Sequence, residues 1–169
     1  MVILFAACAS TKRPMGMATM TPISGSTAKG TVHLQELGDG SVDVTVDLSG
    51  VPPGVHGFHI HDKGDCSDNG NAAGGHFNPM NMPHASPDAQ SHHAGDFGNV
   101  TADASGEVHT RFNTVAVKLE EGPTSAVGHA VILHANPDDL TTQPSGNAGP
   151  RIACGVVTLH DMNMAGMHH

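Results

Sequence analysis

The chain contains no tryptophan and no tyrosine, and its five phenylalanines bring the aromatic content to only 3%. Its core must therefore be built from valine, isoleucine, leucine and alanine with a few phenylalanines. A length of 169 residues fits one domain better than two. The 21 glycines and 11 prolines separate short apolar runs, a pattern typical of an all-β chain with many turns.

Basic residues are also scarce. Seven lysines and arginines stand against 16 aspartates and glutamates, which gives a net charge of -9 with neutral histidines. Proteins that bind nucleic acid need a positive surface along the phosphates. We therefore predict no nucleic-acid partner.

Long apolar runs are missing as well, and the run VILFAAC at residues 2–8 is too short to span a bilayer. It has the shape of an export signal that lacks its charged start. Ala6 and Ala7 before Cys8 are similar to a bacterial lipoprotein processing site, although Phe5 departs from the usual aliphatic residue. Either Cys8 is lipidated and tethers the chain to a membrane, or the run is an incomplete signal peptide or an artefact. Both interpretations predict an exported protein of the bacterial periplasm or cell envelope.

Short alternating runs between residues 17 and 160 predict one folded domain of about eight antiparallel strands. We expect a β-sandwich or flattened barrel with two long functional loops, residues 62–96 and 135–150. Residues 1–16 are predicted to be a signal remnant and tether. The tail, residues 161–169, is rich in methionine and histidine. It either gathers copper, since thioethers suit Cu(I) and imidazoles suit Cu(II), or is disordered with incidental composition.

Histidines are abundant, and several fall where a metal site could form. His59 and His61 are two apart on a predicted strand and so share a face, and His134 ends another strand. Three imidazoles without a thiolate suit copper or zinc. The first long loop offers enough further donors for a tetrahedral zinc site, namely His76, His84, His92, His93 and Asp96.

Five segments in this order carry a family resemblance: GFHIH, GGHFNP, HHAGDFGNVTAD, HAVILHANPDDL and GNAGPRIACGV. Together they resemble copper/zinc superoxide dismutase of the exported bacterial type over residues 17–159. The resemblance implies an eight-stranded Greek-key barrel and an antioxidant enzyme that converts superoxide to dioxygen and hydrogen peroxide by Cu(II)/Cu(I) cycling. A non-enzymatic copper- and zinc-binding or copper-delivery module on the same fold is the alternative. A homodimer is compatible with the resemblance, which does not fix the oligomeric state.

The resemblance also implies two ligand sets. Copper would be held by His59, His61, His76 and His134. Zinc would be held by His76, His84, His93 and Asp96. His76 would thus bridge both metals and carry a proton during catalysis. His92 is left as the spare histidine, because His93 stands three residues before Asp96 as in the family.

Four further residues take roles from the resemblance. Asp138 would accept hydrogen bonds from one copper and one zinc histidine, while Asp139 is expected to be a solvated turn residue. Arg151 would line the copper channel and attract the superoxide anion. Cys66 and Cys154 match the disulfide within the family's subunit. The second long loop lacks the lysines that guide the anion in many relatives. Lys63 is the candidate to supply that positive charge instead.

Overall fold

The computed structural model describes residues 13–160. The predictions for Cys8 and for the tail lie outside these residues. Across the described range, no helix is long and apolar enough to cross a membrane.

Nine strands and one short 3₁₀ helix make up the described fold. The strands are β1 (Met15–Pro22), β2 (Lys29–Glu36), β3 (Val42–Ser49), β4 (Gly54–His61), β5 (Asp96–Ala102), β6 (Val108–Thr114), β7 (Ala130–His134), β8 (Arg151–Val156) and β9 (Thr158–Leu159). The 3₁₀ helix spans Asp68–Ala73. These elements confirm the all-β prediction.

Strand β7 begins only at Ala130, because the residues before it form a turn in which Gly128 has a φ of +83°. Val157 separates β8 from the two-residue β9, which pairs with β1.

The strands pair antiparallel in the order β5-β4-β7-β8-β1-β2-β3-β6, so the connection from β3 to β4 crosses the molecule as in a Greek key. The two end strands of this order meet and nearly close a barrel. Phe97 of β5 and Phe112 of β6 pack edge to face there, with ring centroids 5.3 Å apart. Inside the barrel, small apolar side chains such as Val32, Val44 and Val46 are fully buried.

The two long loops lie over the end of β4 and β7 that carries the histidines. The first loop follows β4 and is tied to β8 by a disulfide between Cys66 and Cys154, whose Cα atoms are 5.8 Å apart. The second connects β7 to β8. Gln143 in this loop joins it to the first loop, because its side chain accepts a hydrogen bond from the His84 backbone N–H (2.9 Å) and donates one to the His84 carbonyl (2.7 Å).

Candidate metal centre

The sheet register brings the first set of histidines together. Strand β4 pairs with β7, so that His61 lies opposite Ala130, and His134 at the end of β7 lies opposite Arg151 of β8. His76 reaches the same place from the first loop through an isolated bridge to His61. One ligand atom from each member of the first cluster lies within 4.8 Å of the others, and the cluster consists of His59, His61, His76 and His134.

Backbone carbonyls fix the tautomers of two of these imidazoles. His61 donates through Nδ1 to the Gly74 carbonyl (2.9 Å), and His134 donates through Nδ1 to the Gly149 carbonyl (3.1 Å). A carbonyl oxygen can only accept, so each Nε2 of the neutral rings carries a lone pair. These two Nε2 atoms face each other at 3.3 Å. Two facing lone pairs repel each other, and a positive charge between them would remove that repulsion.

Two more ring nitrogens in the cluster are buried without a hydrogen-bond partner among the described residues. They are Nδ1 of His59 and Nε2 of His76. His59 donates through Nε2 to Asp138 (2.7 Å), which leaves its Nδ1 with a lone pair. Because buried polar atoms are nearly always paired, these atoms fit a bound cation.

The second cluster surrounds a carboxylate and consists of His76, His84, His93 and Asp96. The Oδ1 atom of Asp96 lies 2.7 Å from Nδ1 of His76, 3.0 Å from Nδ1 of His84 and 3.2 Å from Nδ1 of His93. His84 donates through Nε2 to Asp138 (3.0 Å), so its neutral Nδ1 presents a lone pair to a carboxylate oxygen. A cation among these atoms removes that repulsion.

Burial sets the protonation of the first cluster. It lowers the pKa of His59 to about 4 and that of His134 to about 3, and it lowers the pKa of His61 strongly. These imidazoles are therefore neutral at pH 7, which is the form that binds metal.

The second cluster attracts positive charge. Burial opposes the charged form of Asp96, but hydrogen bonds from His76 and the Ala85 backbone outweigh it and hold its pKa well below the usual range. Burial also opposes charge on His84, yet Asp96 and Asp138 outweigh it and raise the pKa of this ring. A cation bound between these groups would be stabilised by the same negative charges.

Asp138 links the two clusters. One of its oxygens accepts from His59 and the other from His84. Asn99 on β5 holds the backbone of Asp138 by donating to its carbonyl (3.0 Å) and accepting from its N–H (2.8 Å). Asp139, as expected, is exposed and accepts hydrogen bonds from its own turn, including one from Thr142.

An open cavity of about 460 Å³ leads to the first cluster, and His61, His76, His134 and Arg151 line it. Arg151 donates to the Gly70 and Gly74 carbonyls, the latter at 2.6 Å. Burial lowers its pKa, but a guanidinium stays charged in proteins. Among the described residues, Arg151 is the one lysine or arginine that lines this cavity. Lys63 is exposed and does not line it.

His92 lies outside both clusters. Its Nδ1 is 2.7 Å from the His93 carbonyl, and its side chain lines a separate cavity of about 410 Å³ near β5 and β6. Two supporting amides, Asn99 and Gln143, were not predicted from the sequence. Asn99 stands within one of the quoted segments, whereas nothing in the sequence singles out Gln143.

Comparisons with known proteins agree with this architecture. The sequence profile of the copper/zinc superoxide dismutase family matches residues 28–157. A solved structure, that of the clock protein EA4, is 34% identical to the chain with a TM-score of 0.78. The match covers 94% of this chain and 99% of that one.

Proposed function

The chain belongs to the copper/zinc superoxide dismutase family, and from that premise we propose that it converts superoxide to dioxygen and hydrogen peroxide with a copper and a zinc ion. The first cluster would hold copper and the second zinc. Four imidazole nitrogens suit copper, and three imidazoles with a carboxylate suit zinc.

The observation that carries the proposal is the placement of the two ring nitrogens of His76. Nδ1 faces Asp96 in the second cluster, while Nε2 is buried beside the first cluster without a partner in the part of the chain that the structure describes. An imidazole that belongs to both clusters would help to hold both ions when both of its nitrogens are deprotonated. Its Nε2 can also accept a proton.

When bound, copper supplies a one-electron couple that oxidises one superoxide and reduces the next, while zinc supplies a fixed charge. Arg151 draws the anion into the cavity, because its guanidinium is held there by two carbonyls. His76 accepts a proton from water at Nε2 as the first superoxide leaves as dioxygen. It returns this proton to the second superoxide, which takes another from water and leaves as hydrogen peroxide.

Metal content and superoxide dismutation measured on one sample test the proposal. We expect His134→Ala to abolish dismutation and to keep zinc, since His134 belongs only to the first cluster. His92→Ala is the matched control, and it should keep both metals and full activity because His92 lies outside both clusters. Most of the activity surviving in His134→Ala would refute the copper assignment. A wild-type protein that binds both metals without dismutation would favour the metal-delivery alternative.

We also propose that the protein acts outside the cytoplasm, with superoxide as its partner and Cys8 as its membrane tether. The support is the apolar run before Cys8, together with a fold that contains a disulfide. Mass spectrometry of the N-terminal peptide from an envelope fraction tests the tether. An unmodified Cys8 in the mature protein would exclude lipid attachment.

A further inference from the structure

Two methionines project from one turn of the first long loop. Met80 is 59% exposed and Met82 is 40% exposed. The other described methionines lie on β1, where Met20 is buried and Met15 and Met17 are half-buried. Single exposed apolar side chains are ordinary on protein surfaces, but two thioethers from one turn are a pair of soft donors.

The turn is held in place rather than loose. The Asn78 side chain accepts from the Met82 N–H and donates to the Met82 carbonyl, each at 2.9 Å. Pro79 and Pro83 on either side restrict the backbone further. The Met82 sulfur accepts a hydrogen bond from Ser91 at 3.4 Å, which leaves it a second lone pair. Ordering these groups in advance lowers the entropy lost on binding an ion.

The turn is anchored by a residue that lines the cavity leading to the first cluster. Asn78, which anchors Met82, lines that cavity together with His61, His76 and His134. Asn71 and Asn147 add neutral polar groups to the lining, and no Asp or Glu of residues 13–160 lines the cavity to compete for a cation. A soft ion released from the turn would therefore enter a cavity that also contacts buried imidazoles.

We propose that Met80 and Met82 form a capture site for Cu(I), from which the ion passes along the cavity to the first cluster. Neutral thioethers select Cu(I) over hard divalent cations and bind zinc weakly. The transfer to the first cluster rests on the proposed function, whereas capture at the methionine turn does not.

Silver(I), a soft ion that does not change oxidation state here, tests capture. The full-length protein carries ¹³C-methyl methionine and enough zinc to fill both histidine clusters, and it is titrated with Ag(I). We expect the methyl signals of Met80 and Met82 to shift together. In Met80→Leu, the Met82 signal should need about tenfold more Ag(I), because a chelating partner is lost. Met17→Leu is the control and should change neither response.

Capture is overturned if the two signals stay fixed while other methionines respond, or if Met80→Leu leaves the Met82 titration unchanged. Transfer is tested by supplying Cu(I) as its bicinchoninate complex to zinc-loaded, copper-free protein. The variant Met80→Leu/Met82→Leu should load about fivefold more slowly than Met17→Leu. Equal rates overturn transfer, and a failure of dismutation would leave the methyl titration unaffected.

Discussion

Arg151 is the residue on which substrate attraction depends most directly. One positive charge about 6 Å from a bound anion is worth roughly 0.7 to 3 kcal/mol between the dielectric of water and that of a protein surface. Since about 1.4 kcal/mol is tenfold in rate, Arg151→Ala should lower dismutation by roughly 3- to 100-fold with both metals bound. Steady-state rates across ionic strength check this. Added salt should slow the wild type more than the variant, and Arg151→Lys should keep much of the salt response.

An Arg151→Ala variant with the wild-type rate and the same salt dependence would show that another group attracts the anion. Metal analysis of the variant is needed beside the rates, because Arg151 also holds the Gly70 and Gly74 carbonyls. Loss of metal would assign the defect to the loop rather than to the charge.

Gly146 has no side chain and so leaves the space that the Asp138 carboxylate occupies between the two clusters. A Cβ atom there would overlap the Asp138 carboxylate and lie 2.7 Å from Nε2 of His84. Gly25 is a matched control, since its φ of +74° resembles the +68° of Gly146 but open space surrounds it. Gly146→Ala should cost about 2 kcal/mol more than Gly25→Ala, and denaturant unfolding of the metal-free variants measures the difference. Equal costs would mean that Asp138 can move aside.

At the scale of elements, the two long loops depend on each other. Gln143→Ala removes both hydrogen bonds from the second loop to the His84 backbone. At about 1 kcal/mol each, their loss should weaken zinc binding by roughly 30-fold, as measured by chelator competition. Gln143→Glu keeps the acceptor and loses the donor, so its zinc affinity should lie between that of the wild type and that of Gln143→Ala. A Gln143→Ala protein with wild-type zinc affinity would show that the first loop keeps its structure without these two hydrogen bonds.

The strands were largely predictable from sequence because alternation is a local property, as in β2, where Val32 and Leu34 are buried beside the exposed His33 and Gln35. The two-residue β9 is too short to show a period. The pairing of His134 with Arg151 depends on register between distant segments, and so does the hold of Gln143 on His84. The residue types therefore predicted which metal-ligand atoms are present. Strand and loop pairing, which the sequence does not show, decides which of these atoms face each other.

At the scale of the whole molecule, a disulfide joins the first loop to the barrel. The Cys66–Cys154 disulfide spans 88 residues of sequence. Cys66→Ser should lower the free energy of unfolding by about 2–4 kcal/mol, measured in denaturant on the metal-free protein. Reduced wild-type protein should show a similar loss, which separates the bond from the serine. If a thiol assay on unfolded, unreduced wild-type protein found both Cys66 and Cys154 reactive, the pairing would be contradicted.

The bridge that Asp138 makes between His59 and His84 has a consequence for how the two sites are filled. The same carboxylate, together with the shared ring of His76, must be arranged for both ions, so the occupancy of one pocket is linked to that of the other. Linkage is reciprocal: whatever factor zinc contributes to the affinity for copper, copper contributes to the affinity for zinc. A dissociation constant for either metal therefore has a meaning only when the occupancy of the neighbouring pocket is stated with it.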